Sequence, residues 1–143
     1  MVTNPNAQAI IDLCEQNWDA NKSDCSAFVK SVAAALNVNL TGLANDIVAQ
    51  IQSDPWIQLA NGIAAKANAD QGFFVIGGLA GGDHVPPSEH GHVVVVVSGP
   101  LAQGLYPSAY WGTLGGVGQK DQTVNFAWNA ASRNKVIYSM LPA

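Results

Sequence analysis

The run His92-Val-Val-Val-Val-Val97 narrows the possible folds of this chain more than any other feature. Valine is branched at Cβ and enriched in strands, so the run is predicted to be extended. Apolar side chains occupy both its odd and its even positions, which means that both faces of the strand must be covered. We therefore predict that this segment is a central strand of a sheet.

The chain before this strand has helical periodicity. Between residues 7 and 18, apolar side chains recur every three or four positions, as on one face of an amphipathic helix. The next helix begins at Cys25, with Ser23 or Asp24 as its N-cap. Asp54-Pro55 has the pattern of a cap followed by proline at the first helical position. Helices are predicted over residues 7–18, 25–36, 43–51 and 55–67.

After residue 72 the periodicity changes to that of strands. A loop rich in glycine and proline, residues 80–91, separates the first two strands. Because the helices precede the strands without alternating with them, we predict an α+β fold with an antiparallel sheet, in one domain spanning residues 1–143. The strands are predicted over residues 73–76, 92–97, 109–114 and 135–140.

Charged residues are sparse, at 11% of the chain against about 25% in an average domain. Six Lys plus Arg against ten Asp plus Glu give a net charge of −4. This balance argues against binding to nucleic acid or to an anionic membrane, since both require positive charge. The N-terminal residues lack the pattern of a secretory signal peptide, and no apolar run is long enough to span a membrane.

Cys25 and His92 are the residues best suited to chemistry. Unpaired N–H groups and the macrodipole at a helix start favour a thiolate, so we expect a lowered pKa for Cys25. His92, at the start of a rigid strand, is placed to act as a general base. A cysteine opening a helix and a later histidine opening a central strand are typical of papain-like hydrolases. The structural alternatives are a buried, unreactive Cys25 and a strand-end His92 in contact with water.

Two other groups of residues offer alternative chemistry. Cys14 lies on the apolar face of the first helix, so core packing is its expected role. A disulfide between Cys14 and Cys25 would remove the nucleophile, and the sequence leaves it open. No metal site is predicted, because the possible ligands in and beside the loop match no tight zinc spacing: Asp83, His84, Glu89, His90 and His92.

Five blocks of sequence follow one another between about residues 7 and 141. They are DCSAFVKSVAAALNV, QGFFVIGGLAG, GHVVVVVSGPL, YPSAYWGTLGGVGQ, and the late AWN with VIYSML. In this order they closely resemble the family 1 amidase effectors of type VI secretion. These are small peptidoglycan amidases of the NlpC-type papain-like superfamily.

The resemblance implies a papain-like fold in which N-terminal helices pack on a C-terminal antiparallel sheet, and an amidase that needs no cofactor. Cys25 would be the nucleophile and His92 the base, acting on peptidoglycan stem peptides at the bond between γ-D-glutamate and meso-diaminopimelate. The resemblance further implies a monomer that one bacterium injects into the periplasm of a rival. The Hcp tube protein would carry it, and a cognate immunity protein would block its active-site groove.

Two features depart from the family pattern. The loop 81–90 is longer than usual, and we expect it to border the substrate groove. The third polar group of such enzymes has no obvious counterpart: Ser108, Tyr110 or a backbone carbonyl near Trp111 could orient His92, or the site could be a Cys–His dyad. Two other functions share the fold. One is a housekeeping wall hydrolase, and the other is a non-catalytic domain that binds peptidoglycan or a protein partner, with Cys25 unreactive.

Overall fold

The computed structural model describes residues 4–142 of the chain. The helices are α1 (Pro5–Asn21), α2 (Cys25–Ala35), α3 (Ala44–Gln50) and α4 (Gly62–Asp70). The strands are β1 (Ile57–Leu59), β2 (Phe74–Leu79), β3 (His92–Val96), β4 (Ser108–Trp111), β5 (Gln119–Thr123) and β6 (Ile137–Leu141). They form one sheet in the order β1-β6-β2-β3-β4-β5, with every neighbouring pair antiparallel. Within residues 4–142, no helix has the length and apolar character needed to cross a membrane.

The predicted α+β class and its antiparallel sheet are confirmed. β3 lies between β2 and β4, so the prediction of a central strand is also confirmed. The valines of β3 alternate between two apolar layers. Val93 and Val95 pack with α1, α2 and α3, whereas Val94 and Val96 pack on the other face of the sheet with α4. The continuous valine run is therefore explained by a sheet that is covered on both sides.

The predicted start of the fourth helix is wrong. Asp54 does not cap a helix, and the residues that follow form β1, which pairs with β6. The helix begins later, where the side chain of Asn61 accepts a hydrogen bond from the Ala64 N–H at 3.0 Å. Pairing with a distant strand is invisible to local periodicity, and here it overrides a local helix signal.

The remaining strands differ from the prediction mainly at their ends. β4 and β6 are each shifted by one or two residues at their first position. β5 is absent from the sequence-based prediction, because its residues, Gln-Lys-Asp-Gln-Thr, show no apolar alternation and lie mostly exposed at an edge of the sheet. The loop 80–91 between β2 and β3 is confirmed, with one short 3-10 turn at Gly81–Asp83.

A glycine lets the turn between α1 and α2 dock against the end of β4. A Cβ atom at Gly112 would lie 2.3 Å from the carbonyl oxygen of Asn21 and 2.7 Å from that of Asp24. The same turn is held by the Lys22 carbonyl, which accepts backbone hydrogen bonds from Thr113 at 3.0 Å and from residue 118 at 2.8 Å. The first turn of α2 is thereby fixed at one end of the sheet, beside the start of β3.

Candidate active site

The start of α2 is fixed by its N-cap. Asp24 Oδ1 accepts hydrogen bonds from the backbone N–H of Ser26 at 3.1 Å and of Ala27 at 3.2 Å. It also accepts the Ser26 hydroxyl at 2.8 Å. Asp24 is therefore the N-cap, and Cys25 is the first residue of the helix, as the sequence predicts.

The Cys25 thiol does not have the lowered pKa expected from its position. Its side chain is only 5% exposed, and burial raises its pKa above the ordinary value, with the Asp24 charge acting in the same direction. The backbone N–H groups of Val93, Ser26 and Cys25 itself lower the pKa, but by less. The loss of hydration destabilises the thiolate by more than the hydrogen bonds from these N–H groups stabilise it. Cys25 is thus a thiol at neutral pH, and a nucleophilic role would require a base that takes its proton.

Iodoacetamide should therefore alkylate Cys25 slowly at about pH 6, with a rate that keeps rising to at least about pH 9, because only the thiolate reacts. The rates can be followed by mass spectrometry of the intact protein. The Cys25→Ala variant is the control, since its remaining cysteine, Cys14, is fully buried and should stay unmodified. A rate that is already maximal at pH 6 would contradict a raised pKa.

Cys25 lies on the wall of a cavity of about 320 Å³, at the small end of the range for ligand sites. The starts of α2 and α3 and the end of the loop 80–91 meet there, so the loop borders this cavity. Three of the lining residues carry carboxylates, and none of those described is lysine or arginine. The lining residues are Asp24, Cys25, Ser26, Leu43, Ala44, Asn45, Asp46, Glu89, His90, Gly91 and Leu114.

His92 opens β3 and is held between aromatic rings. The centroid of its ring lies 5.2 Å from that of Trp128 and 6.3 Å from that of Trp111, both in edge-on arrangements. Burial lowers the pKa of His92 to about 4, and the charge of His84 acts in the same direction. The imidazole is therefore neutral at pH 7 and able to accept a proton.

Cys25 and His92 lie at the same end of β3, but their side chains are not joined. One of the backbone N–H groups that lower the pKa of Cys25 belongs to Val93, the residue directly after His92. Cys25 packs in the apolar layer of α1, α2 and α3, whereas the His92 ring contacts tryptophans of the other layer. Between residues 4 and 142 no hydrogen bond links the two side chains, and His90 lines the cavity in place of His92. The catalytic pair stays a prediction.

The polar groups considered as a third catalytic member are engaged elsewhere. Ser108 Oγ donates to a backbone carbonyl in the segment before β4, at 2.8 Å. The Tyr110 hydroxyl donates to a carboxylate on α1, Glu15, at 2.5 Å. The Trp111 carbonyl accepts an indole N–H from α1 at 3.0 Å. Of these three residues of β4, Trp111 places its ring beside that of His92, and this contact is aromatic and not polar.

The two cysteines do not form a disulfide. Cys14 and Cys25 are both free thiols. Cys14 is fully buried on α1, and burial raises its pKa, so it packs as an apolar residue in the core, as the sequence predicts.

The possible metal ligands of the loop do not converge on one point. Glu89 and His90 line the cavity, whereas His84 turns back toward β2, with Nε2 at 3.2 Å from the carbonyl oxygen of Leu79. Across residues 4–142, no three side chains of His, Cys, Asp or Glu are arranged to hold a metal ion.

Two residues at the site were missed by reasoning from the sequence. Asn45 lines the cavity and bonds to both ends of the loop 80–91. Its partners are backbone groups far away in the chain, so the sequence carries no signal for it. Trp128 packs on the His92 ring, and its indole N–H is buried without a hydrogen-bond partner. Trp128 does lie in a block that carries the family resemblance, AWN, but nothing there indicates its neighbour.

The chain is similar to a curated protein over almost its whole length. The chain is 39% identical over 142 residues to the protein named peptidoglycan amidase Tse1 of Pseudomonas aeruginosa strain PAO1. The match covers 92% of this chain and 88% of the relative. No protein-family model matches the chain. The similarity therefore extends over the whole fold and is not confined to one motif.

Proposed function

This chain belongs to the family of the peptidoglycan amidase Tse1, and from that membership we propose that it hydrolyses an amide bond in peptidoglycan stem peptides with Cys25 as its nucleophile. The observation that supports a cysteine mechanism is the position of the Cys25 thiol. It lies at the N-terminus of a helix and on the wall of a cavity large enough for part of a peptide. The start of the strand that carries a neutral histidine is adjacent.

The proposed reaction begins with proton transfer from the Cys25 thiol to the imidazole of His92. The sulfur then attacks the carbonyl carbon of the γ-D-glutamyl amide, and the backbone N–H of Cys25 stabilises the negative oxygen. The C–N bond breaks as the imidazolium gives its proton to the departing amine of meso-diaminopimelate. Water, deprotonated by His92, hydrolyses the thioester and restores the thiol. For these reaction steps to occur, the His92 ring must approach the Cys25 sulfur around the end of β3.

The setting of the activity is part of the same proposal. We propose that the protein is a type VI secretion effector that acts in the periplasm of rival bacteria. The Hcp tube protein would carry it as a monomer, and a cognate immunity protein would cover the cavity at Cys25. The residue-level resemblance of the five sequence blocks supports this setting, together with the name of the relative.

The bond can be identified by digesting purified muropeptides that contain meso-diaminopimelate and analysing the products by mass spectrometry. We expect fragments that end at D-glutamate, together with peptides that begin with a free diaminopimelate amine. The Cys25→Ala protein, purified in the same way, controls for contaminating hydrolases. Products from a different bond would refute the assigned specificity, and unchanged muropeptides would refute the amidase proposal.

A non-catalytic domain that binds peptidoglycan is the second candidate. Two observations favour it: the raised pKa of the Cys25 thiol, and the lack of a hydrogen bond between this thiol and His92 within the described residues. The two candidates differ in what Cys25→Ala should do. Loss of the thiol would leave binding and toxicity unchanged in a binding domain, whereas toxicity would disappear with an amidase.

A further inference from the structure

The loop 80–91 is tied at its two ends by a single side chain. Asn45, at the start of α3, accepts a hydrogen bond from the Gly81 N–H through Oδ1 at 2.9 Å. Its Nδ2 donates to the Glu89 carbonyl at 3.2 Å. One amide therefore satisfies the backbone where the loop leaves β2 and again where it returns toward β3.

The middle of the same loop is tied to a different part of the chain. The Val85 N–H donates to Ser132 Oγ at 2.9 Å, and the Val85 carbonyl accepts from Asn129 Nδ2 at 2.9 Å. The loop also closes on itself, because the Ser88 N–H donates to the Gly81 carbonyl at 2.8 Å. With its ends and its middle both bonded, the loop is an anchored wall and not a free flap.

The anchored part forms one side of the cavity at Cys25. Glu89 and the two residues after it are lining residues, and the chain then continues directly into His92. The contact with Asn45 is close, since a Cβ atom at Gly91 would lie 2.6 Å from Asn45 Oδ1. Loss of the two Asn45 hydrogen bonds would therefore move this wall of the cavity without altering the Cys25 thiol itself.

We propose that Asn45 is a specificity-determining residue that fixes this wall in advance of substrate binding. The inference rests on the proposed amidase function. A cavity of about 320 Å³ with a fixed wall accepts a single stem peptide more readily than the bulkier branch of a cross-linked pair. Fixing the wall beforehand also removes the cost of ordering the loop when the substrate binds.

The test compares kcat/KM for uncross-linked and cross-linked muropeptides in four proteins: wild type, Asn45→Ala, Asn129→Ala and Asn68→Ala. Asn129→Ala loosens the middle of the loop without altering a residue of the cavity. Asn68→Ala is the matched control, because it loses one amide hydrogen bond, to the Ala64 carbonyl, on the far face of the sheet. We expect Asn45→Ala and Asn129→Ala to lower the preference for single stems about tenfold, mainly through KM. Asn68→Ala should keep the preference of the wild type.

Two further measurements separate the possible failures. Hydrogen exchange at Gly81 should speed up in Asn45→Ala, and the alkylation rate of Cys25 should stay within about twofold of wild type. If wild type cleaves muropeptides and Asn45→Ala keeps the same preference, the role of Asn45 is refuted while the amidase stands. If wild type cleaves no muropeptide, both proposals fail together. Equal changes in all three variants would show general destabilisation and would also overturn the role of Asn45.

Discussion

Replacing Cys25 with alanine should lower the rate of stem-peptide hydrolysis by at least about 10³-fold, because no other group at the site can form the covalent thioester. The fold should be retained. The substitution removes one small atom from the first turn of α2, and the N-cap bonds of Asp24 do not involve the sulfur. The rate is measured by release of diaminopimelate-containing peptides, and the fold by circular dichroism and thermal unfolding.

Cys14→Ala is the matched control for this prediction. It also removes a thiol that is buried among apolar residues, but from α1 and away from the cavity lining. We expect its hydrolysis rate to stay near that of wild type, with a loss of roughly 1 kcal/mol in the free energy of unfolding from the small void. An active Cys25→Ala protein, or equal losses of activity in both variants, would rule out Cys25 as the nucleophile.

Replacing His92 with alanine should lower the rate by about 10² or more, since a buried thiol with a raised pKa depends on a base. The pH profile gives a sharper signature. Because burial lowers the pKa of His92 to about 4, the base is neutral above that pH and protonated below it. In wild type, kcat/KM should therefore rise with pH around pH 4, and this rise should disappear in His92→Ala.

His90→Gln separates the two histidines near the thiol. His90 lines the cavity with Cys25 and is exposed, whereas His92 is packed between tryptophans. We expect His90→Gln to change the rate only a few-fold and to leave the acid limb in place. A large loss in His90→Gln together with a nearly normal rate in His92→Ala would reverse the assignment of the base. An acid limb near the ordinary histidine value of about 6.5 would contradict the lowered pKa of His92.

The parts of the fold that could be predicted are those in which local pattern and tertiary packing agree. The valine run of β3 is predicted to be covered on both faces and is. Asp24 is one of the two N-caps that the sequence allows for α2, and its hydrogen bonds show that it is the cap. β1 and β5 were not predictable, because one follows a false helix signal at Asp54-Pro55 and the other has no apolar side chains. β1 exists through pairing with the distant strand β6, and the polar strand β5 exists through pairing with the buried strand β4.

The candidate site shows the same division. The positions of Cys25 and His92 at the starts of a helix and a strand follow from the sequence. The pKa of Cys25 does not, because it depends on burial against β3, which is a property of the assembled fold. The packing of His92 against Trp128 and the hydrogen bonds of Asn45 join segments far apart in the chain. Local sequence patterns therefore do not predict these contacts.

The position of β6 has a consequence for how the protein is made. Although β6 comes last among the strands along the chain, it lies inside the sheet, between β1 and β2. A nascent chain without residues 137–141 lacks the strand that joins β1 to β2. Such distant pairings also slow folding, because long segments must be closed before the contacts form. We therefore expect the sheet that carries β3 to be completed only after translation of β6.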